Sequence, residues 1–191
     1  MTLVLSACTT PAAWKSIDAG GSQYANEYYT AILPTGWMMK DADDTLMISR
    51  DGPDLQRIVI AYVSLEEALS DEDKKSVSEM LPSELADKFI SELKSSQDFD
   101  LPSLTILSNE PITIAGHTGF KLHLMYSTDK GLRIEMLSVG FVDEDGVYSI
   151  SYRAPALHYF ANDRDQFTSV VSSFQPREKT GRKLGSDPSF L

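Results

Sequence analysis

Residues 120–152 read FKLHLMYSTDKGLRIEMLSVGFVDEDGVYSISY. Phe120, Leu122, Leu124 and Tyr126 alternate with Lys121, His123 and Met125. A period of two sends successive side chains to opposite faces, so these residues predict a strand with one apolar face. Tyr148, Ile150 and Tyr152 alternate with Ser149 and Ser151 in the same way. The joints are Asp129-Lys130-Gly131 and Asp143-Glu144-Asp145-Gly146. Both end in glycine, which reaches positive φ without a Cβ penalty, so both predict hairpin loops. Loops this short require antiparallel neighbours. The stretch from Ile112 to Tyr152 therefore predicts a meander, with strands over 120–126, 132–142 and 147–152. Its middle strand changes phase. Leu132, Ile134 and Met136 alternate with Arg133 and Glu135, and then Leu137, Val139 and Phe141 take over. Either a β-bulge shifts the register there, or both faces are covered at that end, which would put helices on the sheet.

The chain has 191 residues, enough for one domain with tails. Its apolar share of 42% argues against global disorder. A formal net charge of −11 repels nucleic-acid phosphate, and no basic stripe interleaved with aromatics offsets it. No nucleic-acid partner is expected. No apolar run approaches the length of a transmembrane helix. The single cysteine excludes an internal disulfide and a multi-cysteine zinc site.

That cysteine is Cys8, in Leu5-Ser6-Ala7-Cys8. This segment resembles a bacterial lipobox, where signal peptidase II cleaves before a cysteine whose thiol carries diacylglycerol. Small residues at 6 and 7 after an apolar run fit the end of a signal peptide. The run is short and lacks a basic start, so the true start is expected upstream or the signal has been cut. The alternative is a chance cysteine near a frayed terminus. Each buried methylene of an acyl chain contributes about 0.8 kcal/mol, so two or three chains anchor stably. Thr9 rather than aspartate follows Cys8, which resembles an outer-membrane address. The expected division is a partial signal over 1–8, a tether over 9–26, a domain over 27–175 and a polar tail over 176–191. The tether is rich in Ala, Gly, Ser and Thr.

Inside the domain, Tyr28 to Leu33 predicts a strand ending at Pro34-Thr35-Gly36, and Trp37 reads as core. Asp41, Asp43 and Asp44 read as a polar turn. Thr45 to Ser49 and Arg57 to Val63 predict two strands, and Ser64 with Glu67 fits a capping box. Leu69 to Met80 reads as an acidic loop. Leu81, Leu85, Phe89 and Leu93 recur at i+4 behind Pro82, which predicts an amphipathic helix with one buried stripe. Ser103 to Ile114 predicts a strand interrupted near Asn109-Glu110-Pro111. Gly116-His117-Thr118-Gly119 reads as the turn into the meander. Near the end, Asn162 or Asp163 is expected to cap a helix whose Phe167, Val170, Val171 and Phe174 face the core. Pro176 stops it.

Leu33-Pro34-Thr35-Gly36-Trp37, Gly116 to Gly119, Tyr148 to Pro155 and Phe167 to Phe174 together resemble the PsbP-like superfamily over about 150 residues. That superfamily includes bacterial DcrB-like lipoproteins, photosystem II PsbP subunits and a Ran-binding nuclear-import factor family. The resemblance implies an α+β fold, an α/β/α sandwich with a central antiparallel sheet and helices on its faces. It implies no reaction, because members scaffold or bind proteins and share no catalytic motif.

The residues themselves point the same way. No Gly-x-Ser-x-Gly elbow or Walker-type loop occurs. His117, His123 and His158 show no metalloprotease spacing, and Asp143, Glu144 and Asp145 lack the EF-hand pattern. No cofactor, no metal and no catalytic residue are expected. The expected function is a lipid-anchored envelope domain that faces the periplasm, binds a protein partner and performs no chemistry. The membrane contact is the lipid on Cys8. His117, Asp143, Asp145, His158 and Tyr159, at the edges of the meander, are the candidate ligand or partner surface. The alternative is a periplasmic carrier of a small ligand or cation, with a pocket between the sheet and the Leu81–Leu93 helix. A hydrolase would need a histidine within reach of a serine or aspartate in a cleft.

Overall fold

The computed structural model describes residues 13–18, 22–42, 45–65, 77, 79–95 and 103–177. Cys8, Asp43, Asp44, Glu67, most of the acidic loop and the tail beyond Arg177 lie outside them. In chain order the strands are β1 (Lys15–Ser16), β2 (Gln23–Ala25), β3 (Tyr29–Ile32), β4 (Met38–Ala42), β5 (Thr45–Ser49) and β6 (Arg57–Ser64). Helix α1 (Pro82–Ser95) follows, then β7 (Thr105–Ile114), β8 (His117–Ser127), β9 (Arg133–Val142) and β10 (Gly146–Pro155). Helix α2 (Tyr159–Ser173) and β11 (Gln175–Pro176) complete the described chain.

Two meanders, β4-β5-β6 and β7-β8-β9-β10, meet where β10 pairs with β6, and β1 adds to the β4 edge. The result is one antiparallel sheet ordered β1-β4-β5-β6-β10-β9-β8-β7. A smaller sheet, β11-β3-β2, lies in the same apolar cluster as α2. The phase change in β9 has a plain cause. Its register runs unbroken against β8 and β10, so no bulge is present there. Ile134 and Met136 join Phe120, Leu122, Leu124 and Tyr126 beneath α1. Leu137, Val139 and Phe141 face the other way, with Tyr148, Ile150 and Tyr152 beneath α2. Two helices on two faces bury both sides of one strand.

The bulge sits instead in β7, between Ile106 and Ser108. The expected interruption at Pro111 does not occur, since Pro111 pairs with Phe120. β7 ends the sheet order. The two-residue hairpin aligns Ile114 with His117, so Glu110, Ile112 and Ile114 are the residues bonded to β8. Pro111 then presents its missing N–H to the open edge, where a proline costs no ladder bond.

The expected Gly116–Gly119 turn is shorter than it reads. Ala115 (φ 49°) and Gly116 (φ 88°) form it, both left-handed as a type I′ turn requires. Gly119 is already in β8. A Cβ there would lie 2.9 Å from the Gly140 carbonyl carbon and 2.9 Å from the Phe141 Cβ. Close strand approach, not turning, requires this glycine.

At the start of α1 the Leu81 N–H donates to Glu84 Oε2 at 2.8 Å, one half of a capping box. The buried stripe is Leu85, Ala86, Ile90 and Leu93, whereas Leu81 is 62% exposed and stands outside it. α2 starts earlier than expected, at Tyr159. His158 is its cap residue at φ 76° with no side-chain cap bond. Asp163 lies inside the helix and is buried.

Part of the segment read as a tether is built into the domain. β1 pairs with β4, β2 pairs with β3, and Ile17 and Tyr24 are buried. The Tyr24 hydroxyl donates to Asp41 Oδ2 at 2.6 Å. Asp41 therefore belongs to a strand rather than a turn. Trp37 is core, as its position after Pro34-Thr35-Gly36 suggested.

Candidate functional site

The five surface residues singled out from the sequence do not converge. His117, Asp143 and Asp145 lie at one end of the large sheet, while His158 and Tyr159 follow the far end of β10. A ten-residue strand spans about 30 Å at about 3.3 Å per residue, so no single ligand of ordinary size touches both groups. Each is also engaged structurally. Asp143 Oδ1 accepts the backbone N–H groups of Asp145 and Gly146, both at 2.9 Å, which is an Asx-type turn. The Asp145 carbonyl accepts the Leu65 N–H at 3.1 Å and the Tyr62 hydroxyl at 3.0 Å. His117 stacks on Phe141 with ring centroids 4.7 Å apart. The exposed His158 ring stands edge-on to Tyr159, and the Tyr159 carbonyl accepts the Tyr152 hydroxyl at 3.1 Å.

His123 faces the α2 side. Its Nε2 lies 2.8 Å from Glu135 Oε2 and its ring stacks on Phe160. The imidazole is held between a carboxylate and an aromatic ring, a packing role.

A polar cluster that the sequence reading did not anticipate joins the β5–β6 hairpin to α2. Arg50 grips Asp163 with both terminal nitrogens, at 2.9 and 3.1 Å. Gln56 Nε2 donates to the same carboxylate at 2.6 Å and to Asp51 at 3.1 Å. The guanidinium also lies 5.8 Å from the Trp37 ring centre. Burial pushes the Asp163 carboxyl up, while Arg50 pulls it the other way. Asp163 is 2% exposed, and the bidentate grip is the contact that makes such burial tolerable. The signal was present in the sequence. Phe160, Asp163, Phe167 and Val170 follow helical spacing, so an acidic residue interrupts an apolar stripe.

Among the described residues, a concavity lies elsewhere. A groove of about 250 Å³ opens between the β7–β8 hairpin and α2. Ile112, Ile114 and Val139 line the sheet side, and Phe167 and Val171 line the helix side. Lys121 lines it from β8, half-buried. This is the sheet face opposite α1. The ligand pocket expected beneath the Leu81–Leu93 helix is not where the groove is, because Leu85, Ala86, Ile90 and Leu93 pack there against β8 and β9 residues.

No family model matches the chain, and no curated protein matches it in sequence. Solved structures do match in shape. The cyanobacterial PsbP protein CyanoP of Synechocystis sp. PCC 6803 superposes with a TM-score of 0.59 at 12% identity, covering 92% of this chain and 99% of its own. LpqN of Mycobacterium tuberculosis, described as involved in cell envelope biogenesis, gives 0.54 at 13% identity over 87% of this chain and 91% of its own. The fold is PsbP-like. Its large antiparallel sheet with a helix on each face is the α+β sandwich that the resemblance implied.

Proposed function

We propose that this protein is a lipid-anchored, periplasm-facing domain of the bacterial envelope, held at the outer membrane, that binds a protein partner and performs no chemistry. The observation that carries the reading is the chain's sole cysteine at the last position of Leu5-Ser6-Ala7-Cys8. The shared fold with LpqN, a protein of envelope biogenesis, supports it. So does the engagement of His117 and His123 in ring stacking and of His123 with Glu135, contacts that structure alone explains. The test is cross-linking and retrieval from intact cells that express either the wild type or Cys8→Ser. The reading expects an envelope protein recovered with the wild type and depleted with the variant. Recovery of no envelope partner with the anchored form contradicts it.

A further inference from the structure

The groove between the β7–β8 hairpin and α2 has a composition that selects a ligand. Its lining is mainly apolar, from Ile112, Ile114, Val139, Phe167 and Val171, with Thr113, Thr168 and Ser172 as neutral polar neighbours. One cationic residue lines it, Lys121. Lys121 is half-buried, and no carboxylate among the described residues forms an ion pair with it. Glu110 is the cross-strand neighbour of Lys121 on the same sheet face, and it is exposed. The rim on α2 adds no competing negative group at Thr168 or Ser172. Their hydroxyls donate to the helix carbonyls of Arg164 and Thr168, at 3.2 and 2.8 Å, which leaves oxygen lone pairs but no free proton. A lysine beside a mainly apolar trough matches an anion with an apolar body. The volume, about 250 Å³, falls below the roughly 300–1,000 Å³ of sites that take drug-sized ligands, so the body is small.

We infer that this groove binds a small carboxylate-headed amphiphile, the carboxylate on Lys121 Nζ and the apolar tail between Ile114 and Val171. The site is independent of the partner-binding reading, because neither Cys8 nor membrane attachment enters it. A free medium-chain acid is the probe, with 1-octanol as the uncharged control of the same tail. Octanoate titrated into the full chain should give saturable amide shifts confined to residues around Ile114, Lys121 and Val171. Lys121→Met keeps the apolar stem and removes the charge. It should weaken octanoate by about tenfold, as expected for loss of one charge-assisted contact, and leave 1-octanol unchanged. Val171→Phe fills the groove from α2 and should abolish both. The inference is overturned if octanoate gives no saturable shifts. It is equally overturned if 1-octanol binds the wild type as well as octanoate does, or if Lys121→Met binds octanoate as the wild type does. Circular dichroism of both variants confirms that the fold is retained.

Discussion

Asp163 shows how one side chain ties distant parts of the chain together. It is an acid on the buried stripe of α2, held by Arg50 and Gln56 more than a hundred residues earlier. Asp163→Ala removes the acceptor that Arg50 and Gln56 share, leaving both with Asp51 alone, and a loss of about 1–3 kcal/mol is expected in urea unfolding. The pH dependence has a definite sign. Burial raises the folded-state pKa of Asp163 above its unfolded value of about 3.9. The protonated form is therefore favoured by folding. Its contribution is fully present below pH of about 4 and is lost as pH rises through the folded value. The stability of the wild type minus that of Asp163→Asn should fall as pH is raised from about 4, and a gap that widens instead contradicts the assignment. Ala115 is the other telling residue. It holds a left-handed conformation in a type I′ turn, where Asn-Gly is the preferred pair. Ala115→Asn should gain a few tenths to about 1 kcal/mol, read as a higher urea midpoint.

The elements legible in the sequence are those whose burial alternates. β5, β6, β8 and β10 each show an every-second-residue buried pattern, and period two found them. Helix α1 followed from its i+4 leucines. The elements missed are β1, β2, β4 and β11, of two to five residues, with mostly exposed side chains. Their pairing comes from neighbours that the local pattern does not contain, such as β11 against β3 across the whole chain. The candidate site was less legible still. The groove forms between β7–β8 and α2, and its key residue, Lys121, looks like an ordinary polar position on a strand. At this scale the close approach of β8 and β9 makes a sharp prediction. Gly119→Val pushes a side chain into the Gly140 backbone. Overpacking of this kind costs about 1–3 kcal/mol, which lowers the melting temperature by about 2–4 °C per kcal/mol. Phe174→Ala removes a ring packed against Tyr29, Phe141 and Tyr148, and should cost about 3–5 kcal/mol.

Across the whole molecule, two apolar clusters share one sheet, and tyrosines supply much of the larger one. Burial pushes the hydroxyls of Tyr24, Tyr29, Tyr148 and Tyr152 well above the ordinary tyrosine value of about 10. A raised folded value means that stability is intact below about pH 10 and is lost as pH climbs beyond it. Phenolate absorbance of these four should therefore appear together with the loss of circular dichroism, not before it. Attachment to the envelope is the claim on which the functional account turns. The most direct measurement is expression from the native locus, followed by membrane fractionation and mass spectrometry of the mature N-terminus. The account predicts wild-type protein in the membrane fraction with a diacylglyceryl group on Cys8, and Cys8→Ser protein in the soluble fraction. Cys8→Ser protein that sediments with membranes as the wild type does would contradict it.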